Sequence, residues 1–309
     1  YAGKKVVVIG SGATAVTVVP SMAEQAQHVT MLQRSPTYVV ARPAQDPIAN
    51  KLKRRLPLKL AYMLTRWKNV MLGMYFYQMC KRKPDKVKDL ILGGVRQMLG
   101  PEYDVDTHFT PRYNPWDQRL CLVPDADLFR AIRKKKVSVV TDQIETFTQT
   151  GIKLKSGAEL DADIVVMATG LVLQPLGGAK LVVDGKPVEP PKTLIYKGMM
   201  YSDVPNLASV FGYTNASWTL KADLVCEYVC RLLNHMDRKG FRQATPRNSD
   251  PTLTEEPWVN FSSGYIQRAL EHQPKQGSKR PWKLYQNYVL DLLTLRHGSV
   301  KDRAMVFTR

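Results

Sequence analysis

The sequence predicts an α/β fold built on a Rossmann-like βαβ unit, and three observations carry that expectation. The run KKVVVI at residues 4–9 is dominated by β-branched residues and empties into a glycine-rich turn at 10–15, as a buried parallel strand entering a helix does. Helical text at 14–27 and a second strand at His28–Gln33 complete a unit of about thirty residues. Farther on, DIVVMATG at 163–170 reads as another buried strand ending in a small-residue turn.

Taken in order, the first helix carries Val18, Val19, Met22 and Ala26 at helical spacing. Pro20 is compatible with it near the helix start, where no backbone hydrogen bond is lost. From about 36 to 115 the texture changes. Pro43, Pro47 and Pro57 punctuate a loop, then LKLAYMLTRWKNVMLGMYFYQMCKRK predicts a long amphipathic helix with basic ends, followed by a helix over 84–99. This is a helical insertion, about 45–112, within a nucleotide-binding domain at 1–170. Strand text returns at Val137–Thr141, 144–148 and Gly151–Leu154, which the interleaved turn residues join into a small meander. Residues 171–309 form the second part: a Pro/Gly-rich linker, a strand at about 207–212, a helix over 219–239, and helices near 265–272 and 284–295.

Composition narrows the class. With 309 residues, 44% hydrophobic and 23% charged, the chain has the make-up of a globular protein and not of a disordered tail. The net charge of +18 invites an anionic partner, and a cofactor phosphate needs only two or three cations. The most apolar stretch, 58–79, is broken by Lys59, Arg66 and Lys68, too much charge for a spanning helix. No signal peptide is visible, so a cytoplasmic location is expected. No nucleic-acid motif accompanies the charge, and nucleic acid is not expected as a partner. The flanking Lys/Arg with Leu, Met, Trp and Tyr at 51–83 does suit peripheral association with an anionic membrane. Cys80, Cys121, Cys226 and Cys230 form no CxxC pair and no metal-ligand spacing. No metal is expected, and all four thiols are read as apolar packing.

Gly10-Ser11-Gly12-Ala13-Thr14-Ala15 matches GxGxxG/A in the context that gives the pattern meaning, after a strand and opening a helix. Gly10 permits the tight turn, Gly12 lets backbone approach a pyrophosphate, and Ala15 keeps helix and strand close. The helix N-terminus offers unpaired N–H groups to the phosphates. At the end of the second strand an NAD site places Asp or Glu for the ribose hydroxyl. Here stand Gln33, Arg34 and Ser35. An arginine cannot accept those hydrogen bonds, but its fork suits a 2′-phosphate, so NADPH is expected.

KKVVVIGSGATAVTVVP, VTMLQRSP, ADIVVMATG and GYTNASWTLKADL together resemble the Baeyer–Villiger and flavin-containing monooxygenase family, in particular its mycobacterial ethionamide-activating group. The likeness extends through SSGYIQRAL and PKQGSKRPWKLYQNYVLDLL. It implies a flavoprotein with two dinucleotide-binding domains, 171–309 being the C-terminal part of a split FAD domain. It implies FAD and NADPH as cofactors, and one oxygen atom from O2 passed through a C4a-peroxyflavin to a ketone, sulfide or thioamide. On that resemblance Arg119, in NPWDQRL, is the catalytic cation, oriented by Asp117 or Asp125. Ala168, Thr169 and Gly170 form the ATG turn, and Asn215 and Trp218 return toward the flavin. The family's first glycine fingerprint and its histidine-containing signature have no match here. A truncated chain that binds FAD poorly and does not turn over alone is therefore expected. The competing expectation is an NADP-binding basic regulatory or peripheral-membrane protein without catalysis of its own.

Overall fold

The computed structural model describes residues 1–309, and the chain divides into two compact units, 1–68 with 76–171 and 69–75 with 172–309.

In the first unit, β1 (Lys5–Ile9), α1 (Ala13–Met22) and β2 (His28–Gln33) form the expected βαβ. Then come β3 (Val39–Arg42), α2 (Pro47–Arg55), α3 (Leu58–Arg82, whose residues 69–75 belong to the second unit), α4 (Pro84–Leu99), α5 (Val105–Phe109), β4 (Cys121–Pro124), α6 (Asp127–Arg133) and β5 (Val137–Thr141). The unit closes with β6 (Ile144–Phe147), β7 (Gly151–Leu154), β8 (Glu159–Asp161) and β9 (Ile164–Met167). The central sheet is parallel, in the order β5-β2-β1-β9. Strand β1 is apolar throughout because both its faces are covered. Val6 and Val8 face a core shared with Ala15, Val16 and Val19 of α1 and with Phe109, Leu128 and Phe129. Val7 and Ile9 face Ile152 and Leu154 of the antiparallel β6-β7-β8 layer.

Three expectations are corrected here. Val137–Thr141 is not part of the meander. It pairs in parallel with β2, Val29 opposite Val137, because Val137 and Val139 alternate into the helix-side core. The third meander strand is β8, three residues of which two are charged, too short and polar for a periodicity signal. Pro20 lies in the last turn of α1, not the first. The N–H it lacks would have served Val16, and the helix ends two residues later, where the Ala23 N–H reaches the Val19 carbonyl at 3.1 Å. Third, α3 is not amphipathic. Leu58, Tyr62, Met63, Leu64, Trp67, Met71, Leu72 and Tyr75 are exposed around its circumference, and Ala61, Val70 and Cys80 are its buried apolar residues.

The helices around α3 follow ordinary local rules. Asp46 caps α2, accepting from the N–H of Ile48 and Ala49 ahead of Pro47 at the first turn, and Lys68 pairs with the same carboxylate at 2.5 Å. Helix α4 buries Val87, Ile91, Leu92 and Val95 along one stripe.

The second unit holds short hairpins, β10 (Val182–Val183) with β11 (Lys186–Pro187) and β12 (Ile195–Tyr196) with β13 (Met200–Tyr201). Its organising element is α7 (Trp218–Lys239). Beyond it lie β14 (Gln243–Pro246), β15 (Glu255–Pro257), α8 (Gly264–Ala269), β16 (Lys275–Gly277), α9 (Tyr288–Asp291) and β17 (Met305–Thr308), which pairs antiparallel with β14. Leu220, Leu224, Tyr228 and Leu232 of α7 pack with Tyr196, Met200, Trp282, Tyr288 and Leu295, and Val70 joins this core.

The strand expected at 207–212 is absent. Asn206 takes a left-handed φ of 56° and spends its side chain on Arg242 and Ala244, leaving only an isolated bridge from Ala208 to Met200. The helix expected over 284–295 starts at Tyr288, capped by Asn287, and passes into a π-turn at Leu292–Arg296. Gln286, with φ 49°, sits outside it. Near 265–272 the helix ends at Ala269 and a 3₁₀ turn follows.

Candidate functional site

The C-terminal ends of β1, β2 and β9 meet in the first unit, the place where open parallel sheets bind ligands. The Gly10 N–H donates to the Leu32 carbonyl at 2.8 Å, and the Ala168 N–H donates to the Ile9 carbonyl at 2.8 Å. Gly10 has φ 139°, and a Cβ there would lie 2.3 Å from the Ala168 carbonyl oxygen. Only glycine fits. The fingerprint turn and the Ala168-Thr169-Gly170 turn are thus one interlocked construction, with Ala168 buried and Thr169 and Gly170 exposed.

Gly12 differs. It caps α1 with its backbone alone, and a Cβ there would meet nothing within 4 Å. That open space is where a phosphate could approach. Ala13 and Thr14 are exposed in the first turn, which holds no acidic residue, and Ala15 is fully buried against β1. The first-turn N–H groups therefore face the opening with no side-chain acceptor. Ser11 ties the turn to the end of β2, its Oγ–H donating to the Ser35 carbonyl at 3.1 Å. From the other side the Cys121 thiol reaches the Ser11 carbonyl at 3.8 Å. Burial pushes that thiol up to about 11, so it stays protonated.

Arg34 and Ser35 are exposed at the end of β2, and the Arg34 guanidinium holds no intramolecular hydrogen bond or ion pair. A cation left unpaired one residue past a buried strand is free to take an anion. The residue that sets it there, Gln33, was not foreseen as a positioning group. It is 2% exposed, and its Nε2 donates to the His108 carbonyl at 2.7 Å and to Thr141 Oγ1 at 2.9 Å. His108 Nδ1 is 2.9 Å from the same hydroxyl, and burial lowers its pKa. The available signal was an amide following the apolar pair Met31 and Leu32 at the end of the strand.

Arg119 is exposed on the approach to β4. Residues Asn114–Asp117 form a tight turn closed by the Asp117 N–H on the Asn114 carbonyl at 3.0 Å, with Trp116 at φ 66°. Neither expected carboxylate orients Arg119. Asp117 accepts from Lys81 Nζ at 2.9 Å, which also reaches the Trp116 carbonyl, and Asp125 accepts from the Ala44 N–H at 3.0 Å.

In the second unit, the turn before α7 is already engaged. Asn215 Nδ2 donates to the Gln286 carbonyl at 2.9 Å, and the Thr214 N–H donates to Gln286 Oε1 at 2.9 Å. The half-exposed Trp218 ring lies on Gly212, where any Cβ would strike it, with its centroid 4.9 Å from that of Phe211. Behind this turn sits a buried cluster without a motif to announce it. Asp291 accepts from Lys221 Nζ at 2.9 Å and from the Tyr213 hydroxyl at 2.7 Å. Burial, and then the Asp291 charge, raise the Tyr213 phenol.

The thiols divide. Cys80 and Cys121 are buried as expected, whereas Cys226 and Cys230 are exposed. The correction follows from helix phase, since each lies about 200° around α7 from the buried Leu224 and Tyr228.

These features define a Rossmann-type α/β protein with an open glycine turn at the carboxyl ends of its strands. Comparison with known proteins goes further, and its close homologues are FAD-containing monooxygenases. The chain is 54% identical over 310 residues to the FAD-containing monooxygenase EthA of Mycobacterium tuberculosis, a match to 100% of this chain and 63% of EthA. It is 49% identical over 311 residues to the probable FAD-binding monooxygenase AlmA of Acinetobacter baylyi, across 100% of this chain and 62% of AlmA. The chain thus spans somewhat under two thirds of the length of these relatives. Among solved structures, an oxidized steroid monooxygenase bound to NADP superposes with a TM-score of 0.69 at 16% identity, covering 100% of this chain and 68% of that one. At that identity it shows the shared fold. No protein-family model matches the chain.

Proposed function

We propose that this chain works as part of an NADPH- and FAD-dependent monooxygenase of the Baeyer–Villiger type, which places one oxygen atom from O2 into a ketone, sulfide or thioamide. The observation that carries the reading is the cradle itself. Gly10 is locked against Ala168, Gly12 opens onto space, and an unpaired Arg34 stands at the end of β2. The high identity to FAD-containing monooxygenases supports the oxygenase class.

In this reading the first-turn N–H groups of α1 hold the pyrophosphate, and Gly12 presents backbone to it without a side chain between. Ser11 and Ser35 fix the loop, and Ala168, Thr169 and Gly170 wall the opposite side. Arg34 grips the 2′-phosphate, a charge-assisted contact of roughly 1.5–3 kcal/mol. When bound, the two cofactors together supply hydride transfer and oxygen activation. Arg119, an exposed permanent cation, stabilises negative charge developing on oxygen. The turn before α7 does not fit a flavin as it stands, because Gln286 occupies the Thr214 N–H and the Asn215 amide. Asn215 and Trp218 enter the reading as flavin contacts only with Gln286 displaced, and no step is routed through them.

Calorimetric titration tests the cradle. NADPH should bind well over tenfold tighter than NADH, about 1.4 kcal/mol or more, and Arg34→Ala should erase the difference. Indifference of the unsubstituted protein to the 2′-phosphate would overturn the reading.

We also propose a finer location, for which α3 is the support. No helix is long and apolar enough to cross a membrane, but exposed Leu58, Tyr62, Met63, Trp67 and Tyr75 lie between the basic runs at 51–55 and 81–83. We place the protein in the cytoplasm, with this helix as the contact to an anionic bilayer face. Co-sedimentation with phosphatidylserine vesicles should be strong at low salt and largely lost at high salt. Equal recovery with neutral vesicles would refute the membrane contact.

A further inference from the structure

A second recess in the molecule belongs to neither cofactor reading. It lies in the second unit, at the C-terminal end of α7, where His235 and Lys239 face Phe241, Lys301 and Phe307 around a cavity of about 240 Å³. A dry cavity of roughly 150 Å³ admits a benzene ring, and drug-sized ligands occupy upward of ~300 Å³. The recess is open to solvent on one side, and its volume suits one aromatic ring with a substituent.

The chemistry of the walls is specific. The floor is aromatic: Phe241 and Phe307 stack with centroids 5.1 Å apart and planes 23° apart, and the His235 ring stands edge-on to Phe307 at 5.2 Å. His235 is only 8% exposed, yet neither of its ring nitrogens has a hydrogen-bond partner. Neither nitrogen is among the molecule's sealed, partnerless polar atoms, so the imidazole edge is open to the recess and has a hydrogen bond to give. The rim is cationic. Lys239 and Lys301 form no ion pair, and no acid neutralises them. The one carboxylate beside the recess, Asp302, is already engaged. Its Oδ2 accepts from the Tyr196 hydroxyl at 2.6 Å and pairs with Lys197 at 2.9 Å, and its Oδ1 accepts from the Ala304 N–H at 3.1 Å. Burial, and then the charges of Lys301, Arg238 and Lys239, lower the His235 pKa. The imidazole is thus neutral near pH 7 and offers a hydrogen bond, while the lysines supply the charge.

We propose that this recess binds a small aromatic anion, a single ring bearing phosphate or carboxylate. The ring packs on Phe241 and Phe307, and the anionic group is held between Lys239 and Lys301 with a hydrogen bond from His235. Electrostatic attraction and ring burial act together here, since neither the open rim nor the small floor suffices alone.

Phenyl phosphate is the probe, titrated calorimetrically into the full chain at pH 7.5 and low salt. One site per chain is expected, and Lys239→Ala and Lys301→Ala should each weaken it about fivefold. His235→Phe, which keeps the ring and removes the donor, should weaken it by a similar factor. Phenol and inorganic phosphate should each bind at least about tenfold less tightly than phenyl phosphate. Both lysines are exposed, so their variants should unfold at the temperature of the parent. Arg34→Ala should leave phenyl phosphate binding unchanged, which separates this site from the dinucleotide cradle. Absence of saturable binding with Kd below about 10 mM, equal affinity in the lysine variants, or equal affinity for inorganic phosphate would each overturn the assignment.

Discussion

Gly10 and Gly12 stand two residues apart and answer to different constraints. At Gly10 both the left-handed φ and the Ala168 carbonyl exclude a side chain, so Gly10→Ala should destabilise the first unit by about 3 kcal/mol, read as a lower urea midpoint. Gly12 has an ordinary φ of −81° and open space. Gly12→Ala should cost under about 1 kcal/mol, while NADPH affinity falls about tenfold or more, as a methyl group intrudes where phosphate must approach. Equal stability losses in the two variants would contradict this division. Arg34 belongs to the same scale. Its substitution should change cofactor choice and leave the unfolding midpoint untouched, since it holds nothing within the protein.

Helix α7 shows how an element reconciles burial with charge. It buries Lys221, whose side chain is 6% exposed, by pairing it with Asp291 at 13%. Removing one partner leaves an uncompensated charge. Asp291→Ala should therefore cost about 3–5 kcal/mol, whereas the double change Lys221→Met with Asp291→Leu should recover most of that loss. Chemical denaturation of the two variants makes the comparison. A double variant no more stable than Asp291→Ala would show that the pair organises the fold by geometry and not by charge balance. Helix α3 illustrates the opposite case. Its exposed apolar side chains run all round, so only tertiary or surface partners can make use of them.

For the molecule as a whole, titration and connectivity matter more than single contacts. Burial lowers the folded pKa of His108 and, with neighbouring cations, that of His235. Below about pH 6.5 the unfolded histidines take up protons before the folded ones. Stability is therefore fully present above that pH and lost as the pH falls toward 5, by at most about 1.4 kcal/mol per pH unit for each histidine. Denaturant midpoints measured across this range should flatten when His108→Gln and His235→Gln are combined. A slope unchanged by both substitutions would assign the acid sensitivity elsewhere. Where the chain passes from the first unit's residues to the second's, Leu171 and Val172 are 68% and 85% exposed, and limited chymotrypsin digestion should cut there early. Residues 172–309 expressed alone should unfold at a lower temperature than in the intact chain, because Val70 is part of that unit's core.

The sequence by itself determined the βαβ unit, the glycine turn and the arginine that follows β2, because all of them lie within some thirty-five contiguous residues. Strand β-branching and glycine stereochemistry act locally there, so the two strands and the turn were legible almost residue by residue, whereas the helix ends at Met22 and not near 27, with Pro20 in its last turn. The long helix of the insert and the one at 84–99 were legible for the same reason. Tertiary structure alone decided what depends on distant partners. It took Val137–Thr141 out of the meander and placed it beside β2, set Gln33 against His108 and Thr141, and joined Lys221 to Asp291 seventy residues away. It also turned Cys226 and Cys230 outward and gave Asp117 to Lys81 instead of Arg119. None of these has a local period. Each is fixed by which surfaces are left to cover once the periodic elements have packed, and a linear pattern does not record that.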